Sequence, residues 1–274
     1  MICFPNGKIN LGLSVTARRP DGYHNLETVF YPVKLCDILE VVRADHFSFQ
    51  QTGLVMEIPV EENLVVKAFR LLEKCGDLPP VKIHLHKVIP TGAGLGGGSS
   101  DAAFLLKMVN EWFEAGYSKE QLEEMAGTLG ADCPFFIGNT PALATGTGHL
   151  LHPIPVNLTA YYLVLVKPSL SVSTAMAYRS IIPRIPDIHV SEVISRPVET
   201  WRGSLVNDFE EPVFAMFPEL RGIRDELYRL GAVYASMSGS GSALYGFFRE
   251  LPPGITNHFP DSSFIYIWDP HTSM

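Results

Sequence analysis

The sequence predicts an α+β protein built from two domains. Three observations carry that expectation. Strand-like runs fill the first ~60 residues, helical periodicity dominates from Glu62 to Gly130, and strand-like runs return after Leu143. Blocks of strands and helices without strict βαβ alternation fit an α+β architecture. A division near residue 150 is expected, giving segments 1–150 and 151–274.

The elements follow in order. Ile9 to Val15 and Asp37 to Val42 have strand-like runs, separated by Gly, Pro and Asp clusters. From Glu62 to Cys75, Leu64, Val65, Ala68, Leu71 and Leu72 fall on one helical face, with Gly76 at the C′ position. Val81 to His86 alternates Val, Ile and Leu with Lys, His and His, as a half-buried strand does. A helical pattern runs from Ser100 through Ala103, Leu106 and Val109 to Phe113. Ser118 with Gln121 three residues on predicts a capping box, for a helix ending near Leu129-Gly130. Tyr161 to Val166 is a continuous apolar run, suited to a buried strand. Ile223 to Leu230 is helical and closes on Gly231, and strands Val233 to Met237 and Ala243 to Phe248 flank Ser238-Gly-Ser-Gly-Ser242. Residues 181–202 show no clear period and receive no assignment.

Composition narrows the classes. With 274 residues the chain can bury a sizeable core without staples. At 46% hydrophobic and 18% charged, the composition disfavours disorder as a global state. The formal charge of -8 disfavours a nucleic-acid partner, whose footprint is basic. Cys3, Cys36, Cys75 and Cys133 form no CxxC pair, so they read as small buried hydrophobes in a reducing compartment. There is no apolar run long enough to span a membrane and no secretory leader pattern, so a cytoplasmic protein with no membrane partner is expected.

The segment Pro90-Thr-Gly-Ala-Gly-Leu-Gly-Gly-Gly-Ser-Ser100 lies between a predicted strand and a predicted helix. Glycine permits positive φ and close backbone approach. Successive N–H groups in such a loop make an anion nest, and the helix N-terminus adds its dipole. A polyphosphate cradle is therefore expected. It is not a Walker A loop, because Ser99 follows Gly98 with no Lys between. Gly92, Gly94 and Gly97 satisfy G-x-G-x-x-G, but Glu111, at the right spacing for a ribose-binding acid, falls inside a helical pattern. The bland alternative is a ligand-free flexible loop, which seldom leads straight into an amphipathic helix.

Pro90 to Ala103 resembles the phosphate loop of the GHMP kinases, the group that includes galactokinase and the homoserine, mevalonate and phosphomevalonate kinases. Ser238 to Ser242 resembles that family's third motif. Lys8-Ile-Asn-Leu11, Arg18-Arg-Pro-Asp-Gly-Tyr-His24 and Leu129-Gly-Ala-Asp-Cys-Pro-Phe-Phe136 resemble the branch whose acceptor is 4-diphosphocytidyl-2-C-methyl-D-erythritol. The blocks occur in the family's order along most of the chain. Ala17 and Cys133 depart from residues common in the branch, and 181–202 and the C-terminal tail match poorly.

The resemblance implies an N-terminal domain like ribosomal protein S5 domain 2 and a ferredoxin-like C-terminal domain. It implies ATP-dependent phosphorylation of the C2 hydroxyl of CDP-methylerythritol, with Mg²⁺ accompanying ATP. Asp132 is implied as the base and Lys8 as its cationic neighbour. The nucleotide is assigned Lys87, Pro90, Thr91, Gly92, Ala93, Gly94, Leu95, Gly96, Gly97, Gly98, Ser99 and Ser100. The acceptor is assigned Asn10, Tyr23, His24, Thr174 and Tyr178, with the two tyrosines sandwiching cytosine and His24 hydrogen-bonding it. From the residues alone, Asp132 and Lys8 also suit a structural ion pair, Tyr23 and His24 a surface turn, and Lys87 a solvated surface. No metal ligand is assigned. Another GHMP kinase, or an inactive nucleotide-binding regulator, are the competing classes.

Overall fold

The computed structural model describes residues 1–54, 58–76 and 78–271. It divides into two compact units. The first comprises Met1–Lys8, Pro32–Thr91 and Gly96–Thr140, and the second Ile9–Tyr31, Gly92–Leu95 and Pro141–Met274. These compact units are interleaved in sequence.

In the first unit, β1 (Ile2–Cys3), β4 (Ile38–Arg43), β6 (Val81–Lys87) and β5 (Ser48–Gly53) form a sheet in that order. β4 runs antiparallel to β6 with Leu39 opposite Leu85 and Val41 opposite Ile83, while β5 is parallel to β6. The alternation predicted for Val81 to His86 is realised: Val81, Ile83 and Leu85 are buried, and Lys82 is exposed. α1 (Leu64–Cys75) starts two residues later than predicted, because the Asn63 side chain accepts from Val65 N (2.9 Å) and caps it. Such a cap is worth about 1 kcal/mol. Gly76 ends it in extended backbone, not the left-handed C′ conformation.

α2 (Gly97–Trp112) begins three residues earlier than its periodicity predicts, inside the glycine run. Glycine weakens a helix by roughly 1 kcal/mol relative to Ala, which hides such a start from propensity. Ala102, Ala103, Leu105, Leu106 and Val109 are its buried face, packed against α1. α3 (Lys119–Leu129) has the predicted capping box, Ser118 Oγ accepting from Gln121 N and Gln121 Oε1 from Ser118 N. A short α4 (Cys133–Gly138) follows, packed on α2 and α3.

In the second unit, β10 (Tyr234–Met237), β11 (Leu244–Phe248), β9 (Tyr162–Lys167) and β12 (Phe264–Trp268) form an antiparallel sheet in that order. Its core combines Val164, Val166, Leu244 and Phe248 with Leu220, Ile223 and Leu227 of α8 (Pro218–Arg229) and Val213 and Phe214 of α7 (Glu210–Met216). α5 (Thr174–Arg179) and α6 (Val190–Ile194) complete the helices used below. α6 lies in the stretch the sequence left unassigned, and β12 in the poorly matching tail. The remaining sheet has the order β2 (Asn6–Arg18), β3 (His24–Cys36), β7 (Ala142–Thr145), β8 (Leu150–Pro153). Of the cysteines, only Cys133 is buried, and Cys75 is exposed, contrary to the expectation for it.

Candidate active site of a kinase

Lys8 lies on β2 and Asp132 immediately before α4, both in the first unit, and Lys8 Nζ stands 3.4 Å from Asp132 Oδ2. The Lys8 side chain is 4% exposed and that of Asp132 34%. An Asp at a helix N-cap ordinarily spends its carboxylate on the N–H groups of the first turn. Asp132 makes no such capping bond. Pro134, in the first turn, has no N–H to offer. The carboxylate thus stays available, half-exposed, beside a nearly buried ammonium. The sequence expectation that these two residues pair is met in geometry.

The glycine loop has positive φ at Gly92 (+60°), Gly94 (+74°) and Gly96 (+68°). Gly94 is compelled: a Cβ there would lie 2.1 Å from the Ser238 carbonyl oxygen. That contact belongs to a knot in the second unit. Ser238 Oγ donates to Gly94 O (2.9 Å) and accepts from Asn10 N (3.2 Å), while Ala243 N donates to Ala93 O (3.2 Å). At Gly92 nothing lies within 4 Å of a notional Cβ, and at Gly98 only Leu64 Cδ1 at 3.8 Å. The loop is therefore tightly held at Gly94 and open at Gly92, the form of a cradle. Gly97 has no positive φ, unlike its neighbour; it is the first helical residue, crowded by Ile89 and Lys87 Nζ. Ser100 is fully buried and its Oγ has no partner, while Ser99 lies beside Cys133. Burial pushes the Cys133 thiol up to about 11, so it is not a thiolate nucleophile.

Lys87 is a correction. Expected at the nucleotide or on the surface, it is 1% exposed and held between two carboxylates. Its Nζ donates to Asp37 Oδ2 and to Asp101 Oδ2 (2.7 Å). Asp37 Oδ1 also accepts from Val88 N (2.6 Å) and Ile89 N (2.8 Å). Burial alone lowers the Lys87 pKa, but the two carboxylates outweigh it and the net direction is upward. Burial, with the Asp37 charge, pushes Asp101 up to about 8 against the attraction of Lys87. Asp101 Oδ1 has no partner. The ion cluster ties the strand end before the loop to the first turns of α2, so Lys87 is neither a solvated surface residue nor a free cation.

In the second unit, Tyr23 is 67% exposed at the tip of a turn. Arg19 N donates to Tyr23 O (2.8 Å), and Asp21 Oδ1 accepts from Tyr23 N (3.0 Å). His24 opens β3 and is stacked on Tyr178, with ring centroids 5.1 Å apart and planes at 25°. Tyr178 also packs an edge against Phe209. The simple sandwich of Tyr23 and Tyr178 is therefore modified: one face of Tyr178 is covered by His24. Burial, then the Arg18 charge, lowers the His24 pKa, so the ring is neutral at pH 7 and offers one donor and one acceptor. Asn10 is buried and its Nδ2 donates to Thr28 Oγ1 (3.1 Å). Thr174 Oγ1 is 3.0 Å from Ser240 Oγ. Thr28, Ser238, Asp37 and Asp101 were not singled out from sequence. Ser238 sat in a flagged motif; Asp37 carried no signal, being a lone acid at a strand boundary.

The comparisons with known proteins give the family. The family model of the GHMP kinases N terminal domain matches residues 63–139, and that of the GHMP kinases C terminal matches 198–255. The chain is similar to a mevalonate kinase structure at a TM-score of 0.73 and 14% identity, covering 97% of this chain and 98% of the other, which is a likeness of fold. The class is thus a GHMP kinase, with its two-domain α+β fold. More specific similarity comes from the 4-diphosphocytidyl-2-C-methyl-D-erythritol kinase of Parabacteroides distasonis, 50% identical over 272 residues and 98% of each chain. That of Bacteroides thetaiotaomicron is 56% identical over 253 residues, 91% of this chain and 92% of the relative. A crystal structure of 4-(cytidine 5'-diphospho)-2C-methyl-D-erythritol kinase matches at a TM-score of 0.81 and 36% identity, covering 97% of this chain and 98% of the other. The chain belongs to the 4-diphosphocytidyl-2-C-methyl-D-erythritol kinase family.

Proposed function

We propose that this protein transfers the γ-phosphoryl group of ATP to the C2 hydroxyl of 4-diphosphocytidyl-2-C-methyl-D-erythritol, a step of the non-mevalonate isoprenoid route. The observation that carries the mechanism is the Lys8–Asp132 pair, an uncapped carboxylate 3.4 Å from a nearly buried ammonium. Asp132 Oδ accepts the proton of the acceptor hydroxyl as its oxygen bonds to the γ-phosphorus, and the bond to the ADP oxygen breaks. Lys8 lies beside Asp132 and offsets negative charge on the transferring group. A loose phosphoryl-transfer transition state needs positioning and charge compensation more than a strong base.

The loop from Gly92 to Ser100, open at Gly92 and followed by the N-terminal turn Gly97, Gly98, Ser99 and Ser100 of α2, suits the phosphates, with Pro90, Thr91, Ala93, Gly94, Leu95 and Gly96 shaping it. Among the described residues there is no cluster of three or more His, Cys, Asp or Glu fit to hold a metal. Mg²⁺ accompanying ATP would be held chiefly by the phosphates and water, which needs no such cage, and would offset charge on the phosphates. Exposed Tyr23, neutral His24 and Tyr178 suit cytosine, and Asn10 and Thr174 suit the rest of the acceptor. The N-terminal GHMP domain is assigned to 1–150 and the C-terminal domain to 151–274. The reaction is assigned to the cytoplasm. Among the described residues, no helix is long and apolar enough to cross a membrane.

The test is a coupled ADP-release assay with Mg-ATP and a panel of alcohols. Turnover is expected with CDP-methylerythritol and little with methylerythritol phosphate, mevalonate or homoserine. Turnover with mevalonate or homoserine, and none with the CDP compound, would move the protein to another branch of the family.

A further inference from the structure

Asn6 and Asn139 form a reciprocal amide pair. Asn6 Nδ2 donates to Asn139 Oδ1 (3.2 Å), and Asn139 Nδ2 donates to Asn6 Oδ1 (2.7 Å). Asn6 is buried, and its Nδ2 also donates to Gly7 O (2.9 Å). Asn139 ends α4 in the left-handed conformation, φ +48° and ψ +41°, which Asn tolerates better than most residues. The pair joins two elements of the same unit. Asn6 is the first residue of β2, and Lys8 follows two positions later on the same side of the strand. Asn139 closes the six-residue helix whose N-cap is Asp132.

The separation of Lys8 and Asp132, 3.4 Å, exceeds the 2.7–2.9 Å of a tight charge-assisted hydrogen bond. At that spacing the contact between the two groups does not lock itself, and the placing of the backbones that carry them helps to set it. α4 is too short to hold itself in place, since isolated helices of one or two turns are unstable. At its middle, Phe136 packs against Gly96, where a Cβ would come within 2.9 Å of the ring and 3.3 Å of Lys8 Cε. At its C-terminal end the Asn6–Asn139 pair fastens it to β2. We infer that Asn6 and Asn139 are positioning residues, a side-chain clasp that fixes the spacing of Lys8 and Asp132 for phosphoryl transfer. Reacting groups displaced by about 1 Å can lose ~100-fold in rate, so a clasp of this kind acts on kcat.

The inference rests on Lys8 and Asp132 being the reacting pair, and Asp132→Asn is measured alongside to test that part. Asn139→Gly deletes the amide yet suits the left-handed backbone. Asn6→Ala deletes the other half, and Asn139→Asp keeps the acceptor for Asn6 Nδ2. Initial rates with Mg-ATP and CDP-methylerythritol give kcat and both KM values, and thermal melting reports folding. Asn139→Gly and Asn6→Ala are expected to lose about tenfold in kcat with each KM within about twofold, and Asn139→Asp less. The double variant is expected to be no slower than the worse single, because both deletions break one interaction. Unchanged kcat in folded Asn139→Gly, with Asp132→Asn inactive, overturns the clasp and leaves the reacting pair standing. Multiplicative losses in the double variant, or a KM effect alone, also overturn it. If Asn6→Ala does not fold, Asn139→Gly against Asn139→Asp decides by the same criterion. Full activity in Asp132→Asn removes the reading beneath.

Discussion

Asp132 and Lys87 both carry charge beside the predicted loop or helix ends, yet their surroundings give them different work. Asp132 is half-exposed and makes no cap bond, so its lone pairs stay available. Asp132→Asn keeps the shape and removes the proton acceptor. It is expected to fold normally and to lose roughly 10²- to 10⁴-fold in kcat; near-normal turnover in the folded variant would sink the assignment. Lys87 could not be read correctly from sequence, because its two anions come from distant positions, Asp37 and Asp101. Tyr178 is a similar case. Its type and place were legible, but its stack on His24 was not. Tyr178→Phe keeps the ring and is expected to be nearly silent. Tyr178→Ala removes either a stack on cytosine or the support of His24. Base stacking is worth about 1–3 kcal/mol, roughly 5- to 150-fold in kcat/KM. If Tyr178 works through His24, Tyr178→Ala combined with His24→Ala will be no worse than His24→Ala; independent stacking predicts a further loss.

Among the elements, the glycine loop separates two uses of one residue type. Gly94 is enclosed and Gly92 open, though both have positive φ. Left-handed backbone costs a non-glycine residue about 1–2 kcal/mol. Gly92→Ala is therefore expected to lower the melting temperature by only a few degrees while raising the KM for ATP, its methyl entering the ligand's space. Gly94→Ala adds a collision with the Ser238 carbonyl and is expected to melt clearly lower. Equal melting temperatures in the two variants would contradict the enclosure of Gly94. The same loop shows why element limits were partly hidden. The capping box of α3 and the alternation of β6 are local patterns, and both were legible. The start of α2 is glycine, which has no helical signature, so Gly97 passed for a loop residue. α6 is five residues long, too short to show a period, and β12 is recognised as a strand through its pairing with β9 across about a hundred residues. The clasped pair Asn6 and Asn139 carried no motif at all.

Across the whole molecule, buried charge sets how stability responds to pH. Asp101 is the clearest case: burial first, and the Asp37 charge, push its carboxyl up to about 8 in the folded chain, against Lys87. In the unfolded chain an Asp titrates near ~3.9. Between those values the folded protein holds a proton that the unfolded chain has lost. Stability therefore falls as pH rises through the window from ~4 to ~8, and levels above it. His189 tilts the curve the same way over a narrower range. Its hydrogen bond to Glu27 (2.7 Å), then the Glu27 charge, raises its pKa. Its contribution is complete below the unfolded value near ~6.5 and is lost as pH rises through the folded one; the ring is exposed, so screening keeps it small. Substitution separates the two. Asp101→Asn installs a permanently neutral side chain of the same shape, with an oxygen still able to accept from Lys87 Nζ. Urea unfolding midpoints at about pH 5, 7 and 9 are the measurement. The Asn variant is expected to gain on the wild type steadily across the series, beginning below ~6.5, where His189 contributes no slope. His189→Gln is expected to flatten only the upper part. If wild type and Asp101→Asn run parallel from pH ~5 to ~9, the buried carboxyl does not hold its proton in the folded state, and the cluster around Lys87 carries a net negative charge at neutral pH.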